Sequence, residues 1–259
     1  MRKLLLLCSI LMVMSSNAQD YFPTNTGVKT TKNTVVALQN ATIYVTPQKV
    51  IKKGTLLIKD GKVVAIGKNV QIPSGTKIVD LKGKTIYPSF IDMYADFGIS
   101  KPKQERSNSR RPQYDAGRVG YYWNDHIRPE TKATHSFKFD AKKAKDYLKA
   151  GFGLVNTHLQ DGIIRGNGML VALNPNASDA YRILENTSAQ YLSFAKSLQS
   201  RQSYPTSRMG AMALLRQTYL DADWYANGNA KNKDASLEAL NKNKNLVQIF
   251  EAGNHLDAL

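Results

Sequence analysis

Residues 87–98 constrain the fold of this chain more than any other stretch. They read Tyr-Pro-Ser-Phe-Ile-Asp-Met-Tyr-Ala-Asp-Phe-Gly, after a series of short strand-like segments and before a long polar stretch. This position and composition predict a buried strand that leads into a second part of the fold. Alternate side chains of a strand point to the same side, so Asp92, Tyr94 and Asp96 are expected to share one face.

The preceding residues, 34–86, have the pattern of a small β domain. Short apolar runs alternate with turn residues, and Asp60-Gly61 separates two of these runs. An Asp-Gly pair between two strand-like runs predicts a two-residue hairpin. Residues 19–33 are polar and rich in turn residues, which predicts an exposed lead-in to this domain.

The first 18 residues have the pattern of a secretory signal peptide. A basic Arg2-Lys3 pair is followed by an apolar run over residues 4–14 and by Ser16-Asn17-Ala18, a small-residue cleavage site. The apolar run is shorter than the ~20 residues needed to span a membrane. We therefore expect export to the periplasm or the extracellular space, and no membrane span. The only cysteine, Cys8, lies inside this segment, so no thiol chemistry is expected of the mature chain.

Residues from about 98 to 135 are predicted to form a polar insert. Residues 98–113 are rich in Lys, Arg, Ser, Asn and Gln, a composition that predicts an exposed loop. Further along, Tyr121, Tyr122 and Trp123 place aromatic side chains beside polar groups. Two interpretations are open for these aromatics: they contact a ligand, or they anchor the insert to the rest of the fold.

The remainder of the chain alternates helical and strand-like patterns. Asp140 is a predicted N-cap for a helix that begins at Ala141, and a strand is predicted from Phe152. A helix, a glycine and a strand in succession are typical of the βα repeat of a parallel barrel. A glycine-interrupted β segment is predicted over 163–173, helices over 180–202, 209–227 and 235–243, and another strand over 246–252.

The order of these segments, with Pro88-Ser89-Phe90-Ile91-Asp92 after the hairpin domain, resembles the amidohydrolase superfamily. These are metal-dependent hydrolases, and the chain resembles imidazolonepropionase-like members and a secreted bacterial subgroup with a degenerate first module. The resemblance implies an α/β fold: a small β-sandwich over 34–86, then the first part of a (β/α)8 TIM-type barrel over 87–259. A complete barrel takes ~250 residues, and fewer than that follow Tyr87. We therefore expect an incomplete barrel in an N-terminal fragment.

The resemblance also implies where a metal site belongs. The first barrel strand of the superfamily reads P-G-F-I-D-x-H-x-H, and its two histidines hold a metal ion. Here Ser89 replaces the glycine, and Tyr94 and Asp96 replace the histidines. A phenol is a poor ligand at neutral pH, and one carboxylate does not supply the usual set of protein ligands for zinc. No metal is expected in this segment, and a zinc-type divalent ion is implied only for the superfamily or for a downstream module.

Asp96 and His158 remain the candidate catalytic residues. His158 lies near the C-terminal end of a predicted barrel strand, where catalytic residues of this fold are found. The alternative is a hydrogen-bonded structural histidine and a polar strand end. In the strand over 246–252, Glu251 occupies the place where the superfamily offers another metal histidine.

The formal charge of +16 has two interpretations, an anionic partner or a lysine-rich exterior. The lysines do not form one block, and the sequence contains no nucleic-acid-binding signature, so no nucleic-acid partner is predicted.

By resemblance, the parent protein is an exported hydrolase that acts on carbon–nitrogen bonds other than ordinary peptide bonds. This implies a small-molecule substrate for the parent and a downstream module or chain that completes the barrel. This segment is predicted to be catalytically silent. The alternative is a non-catalytic binding or scaffolding module that uses the aromatic insert and the basic surface.

Overall fold

The computed structural model describes residues 35–104 and 112–257. The predicted signal peptide and lead-in lie outside the described residues. The strands are β1 (Val35–Tyr44), β2 (Val50–Lys59), β3 (Lys62–Gly67), β4 (Lys77–Asp80), β5 (Thr85–Ile86), β6 (Phe90–Ala95), β7 (Phe152–Thr157), β8 (Ile164–Asn167), β9 (Met169–Ala172), β10 (Ile183–Glu185), β11 (Ala189–Ser193) and β12 (Val247–Glu251). The α-helices are α1 (Ala141–Lys149), α2 (Asp179–Arg182), α3 (Arg208–Ala226) and α4 (Ala235–Asn243). This mixed α/β composition agrees with the predicted class.

The first sheet is organised around β1. Its order is β3-β2-β1-β4, and β5 pairs with the other part of β1. β2 is antiparallel to both β1 and β3, and the turn between β2 and β3 is Asp60-Gly61, as predicted. Both turn residues have positive φ, 51° and 77°, as a tight hairpin turn requires. Ala41, Ile43 and Leu56 are buried at the centre of this sheet's own apolar cluster.

The second sheet contains β6, the strand that was predicted to be buried. That prediction is wrong, because Phe90 and Ile91 are exposed. The order of this sheet is β10-β9-β7-β6, with β6 and β7 parallel. Helix α1 lies between these two strands in the chain, which makes a βαβ connection. The Asp140 side chain accepts hydrogen bonds from the backbone N–H groups of Lys142 and Lys143, so the predicted N-cap is confirmed.

The third sheet has the order β12-β11-β8, with β11 and β12 parallel and β8 antiparallel to β11. Strands β8 and β9 are consecutive, and the first pairs with β11 while the second pairs with β7. This one segment therefore joins the second and third sheets. Gly166 and Gly168 lie at the junction, where a Cβ on Gly168 would clash with the Tyr191 ring. The predicted glycine-interrupted β segment is confirmed.

The predicted helix over 180–202 is wrong. Only one helical turn, α2, is present there, followed by β10 and β11. Strand β11 pairs with both β8 and β12 and is buried along its whole length. Pairing with strands distant in sequence therefore outweighs the local helical pattern.

The polar insert has an exposed part and a buried part. The exposed loop was predicted over 98–113. Of the described residues in that range, those at 100–104 and 112–113 are mostly exposed, as predicted, whereas Ile99 is buried. Further along, Ile127 pairs with Ile164 and Lys132 with Asn167 through isolated parallel bridges. Tyr122 and Ile127 belong to an apolar cluster that also contains residues of β11, α3 and α4. Residues 122–132 are thus built into the core beside β8.

Within the described ranges, no helix combines the length and apolar character that crossing a membrane requires.

Candidate functional site

The predicted ligand positions lie near the C-terminal end of β6, but their side chains have different partners. The backbone N–H of Tyr94 donates to Asp92 Oδ1 at 3.0 Å. Asp96 Oδ2 lies 3.4 Å from Nζ of Lys101, in an exposed ion pair. The Tyr94 hydroxyl instead accepts a hydrogen bond from Arg165. Tyr94 and Asp96 therefore bond two different partners, Arg165 and Lys101.

Arg165 forms the centre of this region. Its side chain is only 4% exposed. Nη1 donates to the Tyr94 hydroxyl at 2.5 Å, Nη2 to Glu251 Oε2 at 2.5 Å, and Nε to the Gly162 carbonyl at 3.1 Å. One guanidinium thereby connects β6, β8 and β12. Its planar arrangement of donors suits a group that must bond several oxygens at once.

His158 is fully buried beside this arginine. Its ring stacks on Tyr191 at 3.5 Å between centroids, and the Tyr94 ring meets it edge-on at 4.8 Å. Neither ring nitrogen has a hydrogen-bond partner among the residues that the structure describes. Burial lowers the pKa of the imidazole to about 3, and the positive charge of Arg165 contributes in the same direction. His158 is therefore neutral at physiological pH.

The two tyrosines around His158 also stay protonated. Burial raises the pKa of the Tyr94 phenol, although the charge of Arg165 acts against this. Burial likewise raises the pKa of Tyr191, whose hydroxyl donates to the Met93 carbonyl at 2.8 Å. The site thus consists of one arginine cation, two neutral phenols, one neutral imidazole and the Glu251 carboxylate.

The burial of His158 predicts an acid-sensitive stability. The unfolded histidine takes a proton near pH 6.5, whereas the folded one resists protonation until about pH 3. Stability is therefore lost as pH falls from 6.5, by about 1.4 kcal/mol per pH unit and per histidine of this kind. His126 is the second one, because burial lowers its pKa to about 4.

We expect His158→Phe to remove about half of the loss of unfolding free energy between pH 6 and pH 5, measured by urea denaturation. Phenylalanine keeps the stacking on Tyr191 without a titratable group. The same substitution at His135, whose side chain is exposed, is the matched control. If the unfolding free energy of His158→Phe depends on pH as strongly as that of the wild type, the lowered pKa of His158 is contradicted.

The aromatic residues of the insert have three different environments. Tyr122 is buried and donates from its hydroxyl to Asp221 Oδ2 at 2.6 Å. Trp123 stacks with Tyr204, with ring centroids 6.1 Å apart. Tyr121 is 40% exposed and lies under the guanidinium of Arg118 at 4.8 Å. Tyr122 and Trp123 thus have packing partners within the fold, and a role of all three residues in ligand contact stays a prediction.

Sequence reasoning missed Arg165, although a signal for it was present. The residue stands between Ile164 and Gly166 in the predicted β segment over 163–173, which is rich in apolar residues. A charged side chain in such a segment is rare unless it has a partner inside the protein. The missing partners, Tyr94 and Glu251, are 71 and 86 residues away in sequence, which no local pattern reveals.

A divalent metal does not fit the residues at this site. The structure describes no group of three or more His, Cys, Asp and Glu side chains, in residues 35–104 and 112–257, that is arranged to hold a metal ion. Tyr94 and Glu251 both bond the Arg165 guanidinium instead. Two unit positive charges ~4 Å apart repel by about 4 kcal/mol at an effective dielectric constant of about 20, and a divalent ion doubles this.

Comparison with known proteins gives a short sequence match and a longer structural match. No family model matches the chain. Imidazolonepropionase from Staphylococcus aureus strain JH9 is 29% identical over 62 residues, which are 24% of this chain and 15% of that protein. The imidazolonepropionase of strain N315 matches to the same extent.

Among solved structures, an amidohydrolase from Thermotoga maritima MSB8 aligns with a TM-score of 0.64 and 20% identity. The alignment covers 86% of this chain and 59% of that one. This chain therefore spans less than two thirds of that structure, and its sequence match covers a small part of the imidazolonepropionases. The chain has an amidohydrolase-like fold, and the comparisons confirm the resemblance to the amidohydrolase superfamily.

Proposed function

We propose that this chain is a catalytically silent part of an exported amidohydrolase-superfamily protein, whose parent hydrolyses carbon–nitrogen bonds other than peptide bonds in a small-molecule substrate. One observation carries the silent role. The guanidinium of Arg165 joins Tyr94 on β6 to Glu251 on β12. The described residues contain no group of three or more side chains arranged as metal ligands.

The chemistry of the remaining groups supports the same conclusion. Hydrolysis by this superfamily implies an ion that lowers the pKa of a bound water to ~7. Asp96 is paired with exposed Lys101, and His158 is enclosed between two tyrosine rings. Both candidate catalytic residues therefore contact other side chains of the fold. A degenerate metal site in this segment, with any zinc-type ion held by a downstream module, accounts for these contacts.

We further propose that residues 87–259 form the first part of a (β/α)8 barrel and residues 34–86 a small β-sandwich domain. The parallel pairs β6–β7 and β11–β12, with helices between their members, support the barrel. Of the described strands, β6 and β12 each pair with one neighbour and expose apolar side chains, including Phe90 and Val247. Two such edges suit a downstream module or chain that supplies further parallel strands.

Export rests on the sequence of residues 1–18, and it places the protein in the periplasm or outside the cell. A binding or scaffolding role is the second candidate function. A basic cavity between the insert and the loop that follows β11 favours this second role. Tyr121, Tyr122 and Trp123 are not among the residues that line the cavity.

The silent role is tested by metal content and activity together. In the purified parent protein, we expect Tyr94→Phe and Asp96→Asn each to leave bound zinc unchanged by mass spectrometry. Each variant should also keep kcat/KM for carbon–nitrogen hydrolysis within about twofold, since neither side chain holds an ion. Loss of one zinc equivalent in Asp96→Asn, or one equivalent of zinc in this chain purified alone, contradicts the proposal.

A further inference from the structure

A large polar cavity lies between the insert and the loop that follows β11. Its volume is about 910 Å³, within the range of small-molecule sites. The charged residues that line it include four cations and two carboxylates: Lys103, Arg118, Arg128, Arg201, Asp115 and Asp125. The walls of the cavity are therefore net positive.

Both oxygens of the Asp125 carboxylate have a donor. The carboxylate accepts hydrogen bonds from the backbone N–H of Gly117 at 2.9 Å and from Arg118 Nε at 3.3 Å. Arg118 also pairs with Glu130 and donates to the Ile127 carbonyl. Arg118 and Asp125 thus form part of the wall that shapes the cavity, and their charges are balanced within it.

Arg128 has a different environment. Its Nε donates to the backbone carbonyl of Asp125 at 2.9 Å, and its Nη1 to the side-chain oxygen of Gln199 at 3.2 Å. Both acceptors are neutral, and among the ion pairs in the described part of the chain none includes Arg128. Burial, together with the positive charge of Arg118, lowers the pKa of this guanidinium, although nearby carboxylates, among them that of Asp161, act against this. An anion in the cavity would offset that cost.

We propose that this cavity binds a small anionic molecule through an oxyanion group, phosphate or carboxylate, that contacts Arg128. A guanidinium presents paired donors that match two oxygens of such a group. Lys103, which is exposed at the cavity, adds positive charge on the ligand's path. The proposal does not rest on the absence of a metal centre at Arg165, because the two sites share no residue.

Calorimetric titration of the purified chain with inorganic phosphate and, separately, with citrate at constant ionic strength tests the site. We expect saturable binding of at least one anion. Tighter binding of phosphate indicates a phosphate-bearing ligand, and tighter binding of citrate a polycarboxylate. Arg128→Met should weaken binding about tenfold, as expected for loss of a charged hydrogen bond.

Lys103→Gln keeps the experiment decisive if Arg128→Met fails to fold, because Lys103 is exposed. It should weaken binding about threefold, whereas Lys231→Gln, which removes the same charge from an exposed position outside the cavity, leaves the Kd unchanged. The proposal is overturned if neither anion gives saturable binding. It is also overturned if folded Arg128→Met binds as the wild type does, or if Lys231→Gln weakens binding as much as Lys103→Gln.

Discussion

Gly166→Ala is expected to destabilise the chain by about 4 kcal/mol. Gly166 has φ of +83°, where a side chain costs about 1 kcal/mol or more. An added Cβ would also lie 2.8 Å from the carbonyl carbon of Thr131 and still closer to its oxygen. The obstacle is backbone, which cannot rotate away, so overpacking adds about 3 kcal/mol.

The matched control is Gly61→Ala in the β2–β3 hairpin. Gly61 has φ of +77°, but a methyl group added at this residue would have no neighbouring atom within 4 Å. Only the backbone strain applies there, so we expect a loss of about 1 kcal/mol. Urea denaturation of both variants measures the difference. Equal losses show that the close approach of residues 131 and 166 does not hold in solution.

Arg165→Met is expected to cost about 3 kcal/mol. The substitution leaves the Tyr94 hydroxyl without its donor and the Glu251 carboxylate without its cation. Removal of one member of a buried ion pair typically costs roughly 3–5 kcal/mol, since the other member stays desolvated. Glu251 is 43% exposed and regains part of its hydration, which places the expected loss at the lower end.

Lys233→Met is the control for Arg165→Met, because Lys233 also pairs with a partly exposed carboxylate, that of Glu238, but is itself 77% exposed. Exposed ion pairs contribute about 1 kcal/mol or less. Thermal and urea unfolding of both variants should therefore separate them by about 2 kcal/mol. Similar losses contradict a central role for Arg165 in joining β6, β8 and β12.

Local sequence signals predicted the parts of this fold that depend on neighbouring residues. Asp60-Gly61 between two strand-like runs favours a tight hairpin, and Asp140 caps the helix that follows it directly. These signals act within a few residues and are readable from the chain alone.

The parts that were not predicted depend on distant partners. Strand β11 takes its conformation from β8 and β12, and its residues therefore do not form the helix expected over 180–202. Arg165 is likewise explained only by Tyr94 and Glu251, which the fold brings to it from other strands. In the insert, the same holds for Tyr122, whose burial depends on helices α3 and α4.

Anomalous diffraction at the zinc edge, from crystals of this chain grown with excess zinc, tests the central claim most directly. We predict no anomalous peak beside β6, and continuous density for the Arg165 guanidinium between Tyr94 and Glu251. A peak about 2.0–2.2 Å from both an Asp96 oxygen and a His158 nitrogen would show that this segment holds its own metal ion, and would contradict the silent role.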